Sequence, residues 1–208
     1  MKTINKLIIA GYFCCISLSS TAQDAELSSH LSEAKSSYNS GDHESARFAL
    51  QQSLVELDKI VGREILLKMP GQVSGMSANE NDDNVSGSGF GYTGVYIHRD
   101  YGNPEAKNVN VEVITNSPML GMVNSFLTNP LMMGMSGSDQ KVVKIKSYKA
   151  LVSKQDDGEG NVVGYDIQVP ISDSMITFNC EGITNENEAV QIANQFDIPG
   201  IANLIKGN

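Results

Sequence analysis

Apolar residues recur along this chain with two different periods, and the change of period divides it. Over residues 25 to 69 the period is helical. Leu27, Leu31, Ala34 and Tyr38 step by four, three and four residues, which places them on one face of a helix. After a break at Asn39-Ser40-Gly41-Asp42, a second stripe follows: Leu50, Leu54, Leu57, Val61 and Ile65, closed by Pro70. Gly41 can take the left-handed backbone conformation, and Asp42 can cap the next helix. The pattern predicts a helical hairpin over residues 23–70 whose two apolar faces meet.

Residues 71–89 have no period and are rich in Gly, Ser, Asn and Asp, so they read as a flexible linker. Their acids fail the calcium-loop spacing: there is no glycine at the sixth position and no glutamate at the twelfth. From residue 90 the period becomes two. A Val/Ile/Tyr-rich strand ending at Tyr101 is turned by Gly102-Asn103-Pro104-Glu105, and Val109, Val111 and Val113 then alternate with Asn110 and Glu112. Ser117 as cap and Pro118 as first helical residue start a helix running to about Thr128. Two strands flank Lys146-Ser147, a hairpin loop covers 155–161, and further strands cover 163–170 and 174–180. Asn185 and Glu188 sit at capping-box spacing ahead of another helix, and a last short turn or helix covers 198–205. Hairpin-length links imply an antiparallel sheet. The fold class is therefore α+β: an N-terminal helical hairpin, then a domain over 90–208 with about six antiparallel strands and two covering helices.

Residues 34–54, with Ala34, Tyr38, Gly41, Asp42, Ala46, Leu50 and Leu54, resemble one tetratricopeptide repeat. Position 53, usually alanine in that repeat, is Ser53. A single copy cannot build the concave groove of a solenoid, so the family's peptide binding does not transfer, and the hairpin reads as a packing or dimerising element. The paired opening strands, the helix after Asn116-Ser117-Pro118, the turn within 143–152 and the terminal helix resemble the fold of PsbP, the oxygen-evolving protein of photosystems, and its bacterial relatives. The whole chain is similar to a group of exported bacterial proteins with a helical hairpin ahead of such a domain, mainly through Arg99, Tyr101 and the two Asn-x-Pro and Asn-Pro turns around residues 116–130. The resemblance implies a PsbP-like fold and brings no activity with it.

The front end sets a destination. Lys2 and Lys6 precede the short apolar run Leu7–Leu18, and Ser20-Thr21-Ala22 puts small residues where a signal peptidase reads. Cleavage is expected between Ala22 and Gln23, giving a periplasmic or extracellular protein; Cys14 and Cys15 raise a lipoprotein alternative with a poor lipobox. No segment is long and apolar enough for a membrane span. The 186 residues after Ala22 carry 13 Lys+Arg against 24 Asp+Glu, a net charge of −11. That excess argues against nucleic acid and anionic membrane as partners. One cysteine, Cys180, remains, so no intramolecular disulfide can form and stability must come from packed apolar surface.

Candidate chemistry is sparse. Five of the nine methionines lie within residues 116–137. Met119 and Met122, with Phe126, share the predicted helix, and Met132, Met133 and Met135 follow Pro130. Thioethers bind Cu(I), but such sites usually add histidine or cysteine, which this segment lacks. Methionine also fills cores and makes pliable apolar surfaces. Packing is preferred, with an apolar contact surface or lid second and copper last. Cys180 shares a face with Ile176 and Phe178 and reads as buried and inert, without a base beside it. The three histidines are dispersed, and no nucleophile elbow, Walker loop, HExxH or CxxC is present. Ser117 with the first amides of its helix, beside Arg99 and Tyr101, is a weak anion-site candidate. No catalytic residue, metal or cofactor is expected. The chain reads as an exported, non-enzymatic binding or assembly protein of the bacterial cell envelope, with a partner protein there. The alternative is a carrier of an apolar small molecule or lipid under the 119–135 segment.

Overall fold

The computed structural model describes residues 17–87, 94–129 and 139–207. The chain is α+β and divides into two compact units, one ending at Ile60 and one beginning at Val61. Helix α1 (Ser17–Asn39) and helix α2 (His43–Lys68) form the N-terminal pair, with α2 continuing into the second unit. The turn between them is built as its residues dictate. Gly41 has φ +83°, and Asp42 Oδ1 accepts the backbone N–H of Ser45 at 3.1 Å, capping α2. Hydrogen bonding from the Ser45 side chain, then from its backbone N–H, holds the Asp42 carboxyl below its ordinary pKa.

In the first unit the described side chains that become buried are, Glu56 apart, small: Ala34 on α1, and Ala46, Ala49 and Ser53 on α2. Of the larger apolar residues expected to meet across the hairpin, Leu31, Tyr38, Leu50, Leu54 and Leu57 are instead between 45% and 67% exposed, as is Phe48, while Ile65 is buried in the second unit. On α2 the buried positions run 46, 49, 53 and 56, a stripe one residue out of step with Leu50, Leu54 and Leu57. At 100° per residue the leucines point roughly 80° away from it. Glu56 lies in the buried stripe and accepts from Lys59 Nζ at 2.7 Å.

The second unit is a seven-stranded antiparallel sheet in the order β3-β4-β5-β9-β8-β7-β6. Its strands are β3 (Asn84–Ser86), β4 (Tyr96–Gly102), β5 (Asn108–Ile114), β6 (Gln140–Ile145), β7 (Tyr148–Asp156), β8 (Val162–Ile171) and β9 (Ser174–Glu181). Helix α3 (Leu120–Thr128) lies on one face; α4 (Glu186–Ala193) and α5 (Ile198–Lys206) follow β9. Six strands match those expected from the sequence; β3 is the seventh, and the expected last turn or helix over 198–205 is a helix, the third to accompany the sheet. The register lines up buried residues in rows. Ile97, Val113, Ile176 and Val169 form one row, and Val111, Phe178 and Ile167 the next. Phe196, between α4 and α5, packs edge-on against Tyr101 and Phe178 with ring centroids 5.6 and 4.9 Å away. The caps follow sequence. Asn185 accepts from the N–H groups of Asn187 and Glu188, and Asp197 accepts from Gly200 N–H with Pro199 in the first turn of α5.

The linker expected over 71–89 is ordered structure across its described residues, 71–87. Strands β1 (Gln72–Val73) and β2 (Met76–Ser77) pair around Ser74 and Gly75, both at positive φ, as a two-residue hairpin turn of mirror-image type requires. Val73 is fully buried. A 3₁₀ turn (Glu80–Asp82) leads into β3, which pairs with β4. The expected domain boundary at residue 90 is thus displaced. Ile65, Leu66, Met69 and Val73 all belong to the core of the sheet unit.

This displacement sets a test. Each of those four side chains stabilises the fold by about 1.5–3 kcal/mol, a sum comparable with the whole stability of about 5–15 kcal/mol of an ordinary domain. A fragment of residues 61–208 should unfold cooperatively in urea, whereas a fragment of 90–208 should show no cooperative transition by circular dichroism. Cooperative unfolding of the shorter fragment would restore the boundary at 90.

Candidate functional site

Helix α3 is anchored by its apolar side. Val123 is fully buried and, with Phe126 and Leu127, packs on Leu151 of β7 and Met175 of β9. Met119, the cap residue, and Met122 in the first turn remain exposed, at 42% and 53%. Phe126 is therefore packing, while the two methionines are available surface. Met132, Met133 and Met135 lie outside the described residues.

The expected anion site of Ser117, Arg99 and Tyr101 does not form. α3 starts at Leu120 with Met119 as cap and no side-chain capping bond, so Ser117 is not a cap and Pro118 is not its first residue. Ser117 donates its N–H to the Asp173 carbonyl at 3.1 Å, and its hydroxyl is buried without a partner among the described residues. Arg99, expected beside that site, is 6% exposed and already engaged. Its Nε donates to Asp83 Oδ1 at 2.8 Å, its Nη2 to Asp83 Oδ2, and its Nη1 to the Leu66 carbonyl at 3.1 Å. The hydrogen bonding to Asp83 raises the Arg99 pKa above its ordinary value. Tyr101 is fully buried and donates its hydroxyl to the Pro70 carbonyl at 2.8 Å. In the β4–β5 register Arg99 faces Val111. Ser117 lies six residues further on, about 20 Å along the strand direction.

A polar face that sequence reading passed over lies beside α3. The outward positions of β4, β5, β9 and β8 carry Tyr96, His98, Asp100, Asn110, Glu112, Thr177, Asn179, Asp166 and Gln168, all half-buried. Several of them hydrogen-bond to one another, while Asn179 Oδ1 is buried without a partner among the described residues. His98 Nε2 meets Asp100 Oδ2 at 3.0 Å, and Asn110 Nδ2 reaches both His98 Nδ1 and Asp100 Oδ1. Asp166 accepts from Gln155 Nε2 at 2.7 Å and from Asn179 Nδ2 at 2.9 Å. Tyr96 donates to Glu112 at 2.7 Å; burial first, then that carboxylate, pushes its pKa well above the ordinary value. The period-2 alternation was the available signal, since these are the partners of the valines and isoleucines that mark the strands.

Among the described residues, no group of three or more His, Cys, Asp or Glu is placed to hold a metal ion. Cys180 is fully buried between Val109 and Tyr165 in the register. No described helix is long and apolar enough to cross a membrane. No family model, no curated protein and no solved structure matches the chain.

The buried groups set an alkaline limit. Burial pushes the Cys180 thiol from 9.0 up to about 12, and the Tyr101 phenol from 10.0 up to about 12. Both folded-state values lie above the unfolded ones, so each contribution is complete below the unfolded pKa and is lost as pH rises through the folded pKa. Urea midpoints should fall between pH 9 and pH 12, and Cys180→Ala should flatten the early part of that fall. Equal slopes for the two proteins would show that Cys180 is not held neutral by the fold.

Proposed function

We propose that this chain is an exported binding or assembly protein of the bacterial cell envelope, acting through apolar surface rather than by catalysis. The observation that carries the reading is the helical unit's exposure of Leu31, Tyr38, Phe48, Leu50, Leu54 and Leu57. Soluble monomers rarely leave so much large apolar side chain in water unless it meets a partner. Export is supported by Lys2, Lys6, the apolar run to Leu18 and the small residues at 20–22. A binding role is supported also by what the reactive groups do: the Cys180 thiol is buried, and the His98, Asp100 and Asp166 side chains are occupied with neighbours.

The test is crosslinking in intact cells with the full chain and with a Leu31→Ser/Leu54→Ser/Leu57→Ser variant, followed by mass spectrometry. The expected outcome is a protein outside the cytoplasm that begins at Gln23, with crosslinked species the variant loses. Retention of residues 1–22 on cytoplasmic protein would overturn export. Unchanged crosslinks in the variant would overturn the role of the helical surface.

A second reading, a carrier of an apolar small molecule, is favoured by the exposed Met119 and Met122 on α3. It expects a fluorescent fatty acid to bind and a Met119→Ser/Met122→Ser variant to lose that binding. Because both side chains are exposed, the variant should change stability by less than about 0.5 kcal/mol. It expects peroxide to oxidise Met119 and Met122 before the buried Met175.

A further inference from the structure

The reading of the helical unit as a contact surface can be taken one step further, and the step rests on that reading: the surface has a specific occupant. We infer that α2 pairs antiparallel with α2 of a second copy of this chain, about a two-fold axis passing between Leu54 and Leu57.

Helix α2 is uninterrupted from His43 to Lys68, so one phase runs along its whole length. Leu50, Leu54, Leu57 and Val61 are spaced by four, three and four residues, the spacing of a two-helix seam. The three leucines are exposed; Val61 is half-buried, packing in part against the core of the second unit and leaving the rest of its side chain at the surface. Three residues before Leu50 the same stripe carries Arg47, and three residues after Val61 it carries Glu64. Both are exposed, and neither forms an ion pair within the chain among the described residues.

Self-pairing has two orientations, and charge separates them. In a parallel, in-register pair Arg47 would face the partner's Arg47 and Glu64 the partner's Glu64, placing like charges in the seam at both ends. In the antiparallel pair, residues equally far from the axis meet. Leu54 meets the partner's Leu57, Leu50 meets the partner's Val61, and Arg47 meets the partner's Glu64. Each contact occurs twice by symmetry. The result is a run of apolar layers closed at either end by an Arg–Glu pair, about 25 Å long at 1.5 Å per residue. The chain's own charge order thus selects both the partner and the direction, by repulsion in one arrangement and attraction in the other.

The test is sedimentation velocity of the full chain across micromolar concentrations, with four variants. The full chain should sediment as a dimer that dissociates on dilution. Leu54→Glu should be monomeric with unchanged helical circular dichroism, because Leu54 is exposed in the single copy. Arg47→Glu alone and Glu64→Arg alone should each weaken the dimer about tenfold or more, since each sets like charges into both end layers. The Arg47→Glu/Glu64→Arg double variant should recover most of the loss. These two exposed positions keep the proposal open to refutation even if Leu54→Glu fails to fold. A full chain that stays monomeric at all concentrations would overturn the dimer, while leaving the crosslinks to other envelope components expected above untouched. A dimer lost in Leu54→Glu but not rescued in the charge-swapped double variant would overturn the antiparallel register.

Discussion

The sheet unit is organised around one cation placed where a strand should be apolar. The inward positions of β4 are Ile97, Arg99 and Tyr101, all buried. A guanidinium in that row is tolerable only if its donors are used. Asp83 takes two of them side by side, and the Leu66 carbonyl near the C-terminal end of α2 takes a third. Cations are favoured at that end of a helix, where carbonyls outrun their amide partners. Two residues along, Tyr101 holds the Pro70 carbonyl. One strand thereby fixes the end of α2, the chain leaving it and the 3₁₀ turn that leads to β3. Removing either partner of such a pair costs about 3–5 kcal/mol, a large share of a stability near 5–15 kcal/mol. That constraint, more than the polar composition of residues 71–87, decides their conformation.

The two faces of the sheet solve different problems. On the face carrying Val109, Val111 and Phe178, the rows are apolar apart from Arg99. On the other, α3 covers only the Leu151 and Met175 region, and the rest is a ladder of carboxylate, amide and imidazole groups. Cross-strand pairs of this kind are worth a few tenths to one kcal/mol each and fix register. A general base must have a lone pair aimed at a substrate proton; here the lone pairs of Asp100 and Asp166 are aimed at Asn110, Asn179 and Gln155. These two carboxylates thus help to hold the sheet, and the functional proposals concern the apolar surface that the helices expose.

How much of this was legible depended on whether the cause was local. The hairpin turn at Gly41-Asp42, the cap at Asn185 and six of the strands are set by residues within a few positions of one another, and each was readable. The order in 71–87 was not, because it comes from Arg99, sixteen residues beyond Asp83, and from the side-chain amide of Gln195, which bonds both the Ser74 N–H and its hydroxyl. Composition measures whether a segment can bury its own apolar area; it is blind to a distant side chain that fastens it. Ser117 failed differently. The serine-proline pair has the chemistry of a helix start, yet the chain spends Ser117 N–H on the Asp173 carbonyl and begins α3 three residues later. The anion site joined Arg99, Tyr101 and Ser117 through their shared neighbourhood in sequence, whereas pairing register puts the first two far along the strand from the third.

The misread phase of α2 carries the most physical content. Two stripes run along this helix at similar spacing: Ala46, Ala49, Ser53 and Glu56, and Leu50, Leu54 and Leu57. Hydropathy favours the second as the buried one, and the structure buries the first. Small residues allow close backbone approach, so packing by the alanine stripe turns the leucines outward. An exposed helix face gains nothing from leucine that glutamate or lysine of similar helix propensity would not supply. It forgoes about 25 cal/mol for each square ångström of apolar surface left in water. Arg47 and Glu64 terminate the leucine stripe with opposite charges, so the face has a length and a polarity as well as an apolar centre. A surface with those three attributes is specified for a partner helix of matching length and reversed polarity, and α2 run in the opposite direction meets that specification.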